Sequence, residues 1–244
     1  MNKTEKGKMK MLYAQIMAGG IGKRMGNVPL PKQFLMLGSK PIIAHTIEKF
    51  TLHEEFELIL VSVPTDWISY TEDILKKYGI SDNRIRIISG GAERNDTLDN
   101  ALKYIEEHGK GGIDDLLITH DAVRPFITRR IIKDNITALE HYDAADTVIP
   151  AFDTIVEGEN GEISSIPVRD MMYQGHTPQS FRISSLKESL GKLTIEERQK
   201  LSDSAKIMLL DGKKIKMVES EVFNIKITTP YDLTIANAIL ENIH

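Results

Sequence analysis

The 244-residue chain has no cysteine and one tryptophan. The missing cysteine excludes disulfides, thiolate nucleophiles and cysteine zinc ligands together. No apolar run approaches the roughly 18 residues of a membrane span. The opening MNKTEKGKMK is basic and polar, but the short apolar run after it contains Gln15 and ends in glycine at Gly19. That is not a secretory cleavage site, so residues 1–11 read as a disordered leader. Excess charge is missing too. At a net -4, no global field draws the protein to nucleic acid or to an anionic membrane, so any bound anion must be held by local cations. There is no internal repeat and no low-complexity tract. These absences leave a cytoplasmic protein whose 41% hydrophobic residues suffice for a packed core.

Strand-like and helix-like segments alternate along the chain. Leu12–Ala18, Leu58–Val63, Arg84–Ser89, Asp115–Thr119 and Ala145–Pro150 are apolar or alternating runs of strand length. Between them, Pro41–Phe50, Asp66–Tyr78, Arg94–His108 and a segment capped by Thr128 have helical spacing, with Asp66 as an N-cap of the second. Trp67 and His120 read as packing residues, and Met171-Met172 as fillers of core gaps. The alternation predicts an α/β fold, a Rossmann-like, mostly parallel sheet with helices on both faces. From Phe152 the rhythm breaks. Thr154–Glu157 and Glu162–Pro167 flank turn chemistry at Gly158–Gly161 and read as a projecting β-hairpin arm. An exposed, partly apolar hairpin suits pairing with a second copy, so a homodimer through the arm is expected. Helical spacing returns from Ile183 to Leu210; Lys214–Val218 and Val222–Thr228 read as strands, and Pro230 opens a last helix to Ile243. The whole is one domain, 12–244, with the arm inserted at about 152–175.

The most informative stretch is Leu12–Phe34, a strand that empties into Gly19, Gly20, Gly22 and Gly26 beside Lys23, Arg24 and Lys32. Glycine lets backbone N–H groups approach an anion, and the cations offset its charge, so the loop is a phosphate site. A Walker loop does not fit, because Arg24 follows Gly22-Lys23 where a serine or threonine must hold magnesium. A dinucleotide fingerprint fails at Met25, and no acidic residue stands about 20 residues on. A nucleoside triphosphate with cations at its reacting phosphorus fits better.

These residues, Met17–Met25 and then Pro31-Lys32-Gln33-Phe34, resemble the cytidylyltransferases that join CTP to a sugar or polyol phosphate. Further blocks carry the same resemblance in order: Gly90–Thr97, His120–Pro125 (HDAVRP), Thr177-Pro178-Gln179 and Asn224–Thr228. Two branches of the family compete. Val123, Tyr173-Gln174-Gly175 and Asp153–Glu157 are similar to the D-ribitol 5-phosphate enzymes of teichoic-acid synthesis rather than to those using 2-C-methyl-D-erythritol 4-phosphate.

The resemblance implies roles. Arg24, Lys32 and Lys226 are the implied catalytic cations at the α-phosphate. Met17, Ala18, Gly19, Gly20 and Gly22 would cradle the triphosphate. Gly91, Ala92, Arg94, Asn95, Thr97 and Asp121 would hold the cytidine end, with Arg94 anchoring its own loop and Asp121 near a Mg2+ ion. Arg169, Ser202 and Arg124 would hold the polyol phosphate, Arg169 from either subunit's arm. Ala92 stands where the methylerythritol branch often has an acidic residue, and Ser202 where it has threonine.

Overall fold

The computed structural model describes residues 10–20, 30–112, 114–201 and 203–242. Strand β1 (Leu12–Met17) is buried along its whole length, as a central strand covered on both faces must be. It leads past the glycine stretch to a short hairpin, β2 (Met36–Leu37) and β3 (Lys40–Pro41), and to α1 (Ile42–Thr51). Then follow β4 (Phe56–Val63), α2 (Ile68–Lys77), β5 (Ile85–Ser89), α3 (Arg94–His108), β6 (Leu116–Asp121), α4 (Arg129–Ala138) and β7 (Ala144–Pro150). The arm is a hairpin, β8 (Glu157–Glu159) and β9 (Glu162–Ser165). The chain returns through β10 (Tyr173–Arg182), α5 (Ile183–Lys192), α6 (Ile195–Lys200), α7 (Ser204–Leu210) and β11 (Ile215–Glu219) to α8 (Pro230–Asn242).

Seven strands form the main sheet in the order β11-β7-β10-β6-β1-β4-β5. The β1–β4, β1–β6, β4–β5 and β7–β11 pairs are parallel. The exception is β10, antiparallel to both β6 and β7. Two apolar clusters lie on opposite faces of the sheet. One gathers Ile47 and Phe50 of α1, Ile74 of α2 and Ile131 of α4. The other gathers Leu98 and Ile105 of α3, Leu186 of α5 and Ile207 of α7. A third, smaller cluster seats α8 through Ala236 against Leu37, Val123 and Ile227. The expected architecture is borne out, with helices on both faces.

Several expectations are corrected. β10 was not anticipated: YQGHTPQSFR has no strand periodicity, and its partners β6 and β7 are distant in sequence. Val222–Thr228 forms no strand, although Phe223, Ile225 and Ile227 alternate. They pack into the third cluster instead, and the segment bonds its neighbour through Ile227 N–H to Val123 C=O at 2.9 Å. The long helical stretch from Ile183 is three helices, because Thr194 and Asp203 each cap a new start. Asp66 caps nothing by its side chain; it sits inside a 3-10 turn, Thr65–Trp67, before α2. The arm's paired strands are shorter than expected, and Asn160 and Gly161 make its turn with positive φ of 54° and 86°. Residues 1–9 of the expected leader lie outside the described residues.

A buried polar network locks β10 into place. Asn135 on α4 donates to Thr147 Oγ1 of β7 at 2.9 Å and accepts from Ser180 Oγ of β10 at 2.9 Å. Thr147 in turn donates to Pro178 C=O at 2.6 Å. All three side chains are fully buried, so each bond stands where water cannot replace it. Asn135→Leu should therefore cost roughly 2–4 kcal/mol. Urea unfolding checks this; an unchanged midpoint contradicts it.

Candidate active site

The parallel strands β1, β4, β5 and β6 end on one edge, since Met17 is in register with both Ser62 and Asp121. Loops leaving that edge converge there, as open α/β sheets require of a ligand site. They wall a cavity of about 280 Å³ lined by residues from five stretches. Met17, Ala18, Gly19 and Gly20 follow β1; Lys32 and Gln33 close the glycine stretch; Gly91, Ala92, Glu93, Arg94 and Thr97 open α3; Asp121 and Val123 end β6; Lys226 comes from the segment before α8.

Local chemistry fixes each wall. Gln33 is buried and donates to Ala18 C=O at 2.7 Å, which ties the exit of the glycine stretch to its entrance. Beside it, Phe34 stacks on Trp67 with ring centroids 5.0 Å apart, which anchors that exit on α2's leading turn. A Cβ on Gly20 would meet Lys32 Cε at 3.6 Å, so the lysine stem lies along the glycine backbone. At Gly91 a Cβ would fall 2.1 Å from Asp96 Cβ, so only glycine fits the turn into α3. Thr97 Oγ1 accepts from Gly91 N–H and donates to Glu93 C=O.

Electrostatically the site is built on Asp121. Its carboxylate is buried and meets Arg94 at 3.1 Å, Lys226 at 2.9 Å and Arg124 at 3.5 Å. Burial pushes this carboxyl up, but Arg94, then Lys226 and Arg124, outweigh it and hold it well below the usual carboxylate range. The preceding His120 is fully buried, and burial pushes its imidazole down to about 4. It is neutral, with Nε2–H donating to Arg124 C=O at 3.0 Å and Nδ1 accepting from Thr177 O–H at 2.9 Å. Thr177 Oγ1 accepts from Asp121 N–H, so this chain of bonds fixes the backbone that aims Asp121.

Behind Arg94 stands Gln179 on β10, buried at 1% exposure. Its Oε1 accepts from Arg94 Nη2 at 3.4 Å, while its Nε2 donates to Asp146 at 3.1 Å and Asp203 at 2.8 Å. Burial, then the like charge of Asp203, pushes the Asp146 carboxyl up to about 7.

Most residues singled out in the sequence come together here: Met17, Ala18, Gly19, Gly20, Lys32, Gly91, Ala92, Arg94, Thr97, Asp121 and Lys226 all line the cavity. Gly22, Arg24 and Ser202 lie outside the described residues. Four of the expected residues stand differently from the rest. Asn95 turns away from the cavity and donates to Arg198 C=O and Leu201 C=O, which pins the segment before residue 202. Arg124 is buried, with its guanidinium on Asn224 C=O at 2.7 Å and Gly175 C=O at 3.5 Å, so it already holds two loops, and it does not line the cavity. Thr97 lines the cavity, but its hydroxyl already bonds the loop at both lone pair and proton. Arg169 is exposed on the arm, in a 3-10 turn with its guanidinium toward Asp170, and does not line the cavity. Sequence reasoning missed Gln33, Glu93, Val123 and the Gln179–Asp146–Asp203 group. Gln33 and Gln179 sat inside quoted motifs, but neutral amides carry no charge signal.

Among the described residues no group of three or more His, Asp or Glu side chains is placed to hold a metal. Of the two carboxylate residues lining the cavity, Glu93 and Asp121, Asp121 carries cations on both its oxygens. That set fits a magnesium ion carried in by phosphate oxygens, since Mg2+ takes few protein ligands, and does not fit an all-protein cage.

Comparison with known proteins agrees with this geometry. The family model described as 2-C-methyl-D-erythritol 4-phosphate cytidylyltransferase matches residues 12–242. A ribitol-5-phosphate cytidylyltransferase of Lactiplantibacillus plantarum is 57% identical over 95% of this chain and 99% of its own length. Among solved structures, the 4-diphosphocytidyl-2C-methyl-D-erythritol synthase of Anaerococcus prevotii superposes with a TM-score of 0.78 at 27% identity, covering 95% of this chain and 96% of that one. The Francisella tularensis 2-C-methyl-D-erythritol 4-phosphate cytidylyltransferase gives 0.77 at 27% identity, covering 94% and 99%.

The raised Asp146 carboxyl sets a sign for stability. The folded protein keeps its proton up to about 7 while the unfolded chain releases it near 3.9, so folding loses stability as pH rises through that window. Asp146→Asn removes the loss. Its melting temperature relative to the native chain should be higher at pH 8 than at pH 5; the same difference at both pH values contradicts the burial of this group.

Proposed function

The chain belongs to the 2-C-methyl-D-erythritol 4-phosphate cytidylyltransferase family, and from that premise we propose that it transfers the cytidylyl group of CTP to D-ribitol 5-phosphate, releasing pyrophosphate. The observation that carries the acceptor is the 57% identity with the ribitol enzyme, against 27% with the methylerythritol structures. The product, CDP-ribitol, would feed teichoic-acid synthesis. The chain is a CTP-dependent nucleotidyltransferase. No helix among the described residues is long and apolar enough to cross a membrane, which suits the expected cytoplasmic location.

The reaction asks little covalent chemistry of the protein. A polyol phosphate oxygen, already anionic at neutral pH, attacks the α-phosphorus of CTP in line with the pyrophosphate that leaves. No general base or protein nucleophile is needed, and catalysis is positioning plus charge stabilisation. The residues at the cavity suit that task. The backbone N–H groups of Gly19 and Gly20 would meet phosphate oxygens, while Ala18 N–H is committed to Ser62 C=O at 2.8 Å and would serve as wall. Lys32 and Lys226 face one space from opposite ends of the chain and would stabilise charge developing at the α-phosphate, with Arg24 as the third cation. Gly91 and Ala92 would meet the base through their backbone, and Arg94 and Asp121 would border the nucleotide. Asp121 would hold a magnesium ion borne by the triphosphate, which supplies further charge neutralisation when bound.

The arm is proposed as the dimer contact and as the source of an acceptor clamp. Phe152, Val156, Ile163, Ile166, Val168 and Met171 are each more than half exposed, an apolar set unusual for a free surface. Arg169 lies among them, with Ser202 as its proposed helper in the acceptor site.

Three outcomes test the reading. Pyrophosphate release should require CTP, magnesium and ribitol 5-phosphate together, with methylerythritol phosphate a poorer acceptor. Lys32→Ala should lower turnover by about a hundredfold or more while the melting temperature holds; near-normal turnover contradicts its role. If Arg169 acts in trans, mixing equal amounts of inactive Lys32→Ala and Arg169→Ala proteins should recover roughly a quarter of native activity, because half the dimers are mixed and each has one intact site. No recovery places Arg169 in its own subunit's site.

A further inference from the structure

Gln179 is held in one orientation by what surrounds it. Its Nε2 faces two carboxylates, Asp146 on β7 at 3.1 Å and Asp203 at the start of α7 at 2.8 Å. Its Oε1 faces the Arg94 guanidinium at 3.4 Å. Reversing the amide would set oxygen against the Asp203 carboxylate and nitrogen against the Arg94 donor, so the assignment follows from the partners. Arg94 is then gripped from two sides, by Gln179 and by Asp121 at 3.1 Å, while its Nε is buried without a partner. The guanidinium is placed by its neighbours rather than by its own helix.

We propose that Asp146, Asp203 and Gln179 form a positioning relay, in which the two carboxylates orient the Gln179 amide and its carbonyl holds the Arg94 guanidinium in the wall of the nucleotide cavity. None of the three lines the cavity. They act through Arg94, which does. The inference rests on reading that cavity as the CTP site. Asp203 also caps α7, accepting from Ala205 N–H at 2.9 Å, so the relay is anchored on that helix start. The charged groups around Asp146 are Asp203 on α7, Arg94 on α3 and Arg124 after β6. Two carboxylates and two guanidiniums make a compact set whose balance depends on a neutral amide at its centre. A carboxylate in place of that amide would set a like charge directly against Asp203.

Calorimetric titration of CTP, together with steady-state kinetics, tests the relay. Gln179→Met keeps the shape and removes both hydrogen-bonding ends. It should raise Kd and KM for CTP about tenfold, the loss of one hydrogen bond to a charged group, and lower kcat by less than about threefold. Gln179→Glu should weaken CTP binding at least as much. Adding Asp203→Asn to it should restore binding to within about threefold of native, because the new side-chain amide can donate to the new carboxylate, which still accepts from Arg94, while the oxygen that caps α7 is kept. A packing role predicts no such rescue. Native CTP affinity in Gln179→Met, or no rescue in the double variant, overturns the relay. A third readout needs no nucleotide. In 15N-labelled protein the Arg94 guanidinium should show hindered rotation about Nε–Cζ, and Gln179→Met should free it; equal rotation in both overturns the proposal. Native protein that binds no CTP would instead overturn the functional reading, and the Arg94 signals would still decide the relay.

Discussion

One buried carboxylate, Asp121, sets the arrangement of the rest of the site. It ends β6, and it draws together Arg94 from α3, Lys226 from the segment before α8 and Arg124 from its own loop. A carboxylate this deep would be too costly to ionise alone, and three cations this close would repel one another without it. Each side of the cluster therefore requires the other. The result is a preformed cationic wall, assembled from elements more than a hundred residues apart, at the edge where the parallel strands end.

That wall explains the division of labour in the cavity. The cations closest to Asp121 are partly neutralised by it, so the wall carries less net positive charge than its three cations alone would give. Lys32 enters from a separate stretch, on a turn anchored by Gln33 and by the Phe34–Trp67 stack. Glycine supplies the remaining surface, at Gly20 along the lysine stem and at Gly91 in the turn where no Cβ fits. A site of this composition suits phosphoryl transfer, where charge must be spread and atoms aligned but no proton need be taken.

Much of this was legible in the sequence. The glycine and cation pattern after β1 points to a phosphate site, and the later motif blocks contain Gly91, Asp121 and Lys226, which line one cavity with Gly19, Gly20 and Lys32. What escaped has physical causes. β10 pairs antiparallel with strands far away in sequence, so local periodicity carries no trace of it. Val222–Thr228 alternates like a strand because one side packs on a helix rather than on a sheet. Arg124 and Asn95 carry site-like side chains inside motif blocks, but burial turns both toward backbone carbonyls. Gln179 was quoted only as part of a motif, and its partners Asp146 and Asp203 reach it from elements that the sequence does not bring together.

The central claim is chemical: the cavity on Asp121 joins the α-phosphorus of CTP to a polyol phosphate. A 31P NMR time course of the native protein with CTP, magnesium and ribitol 5-phosphate tests it most directly. The account predicts the paired signals of a diphosphate diester, growing one for one with free pyrophosphate. Orthophosphate in place of pyrophosphate, or unchanged substrate signals in the presence of folded protein, would contradict it.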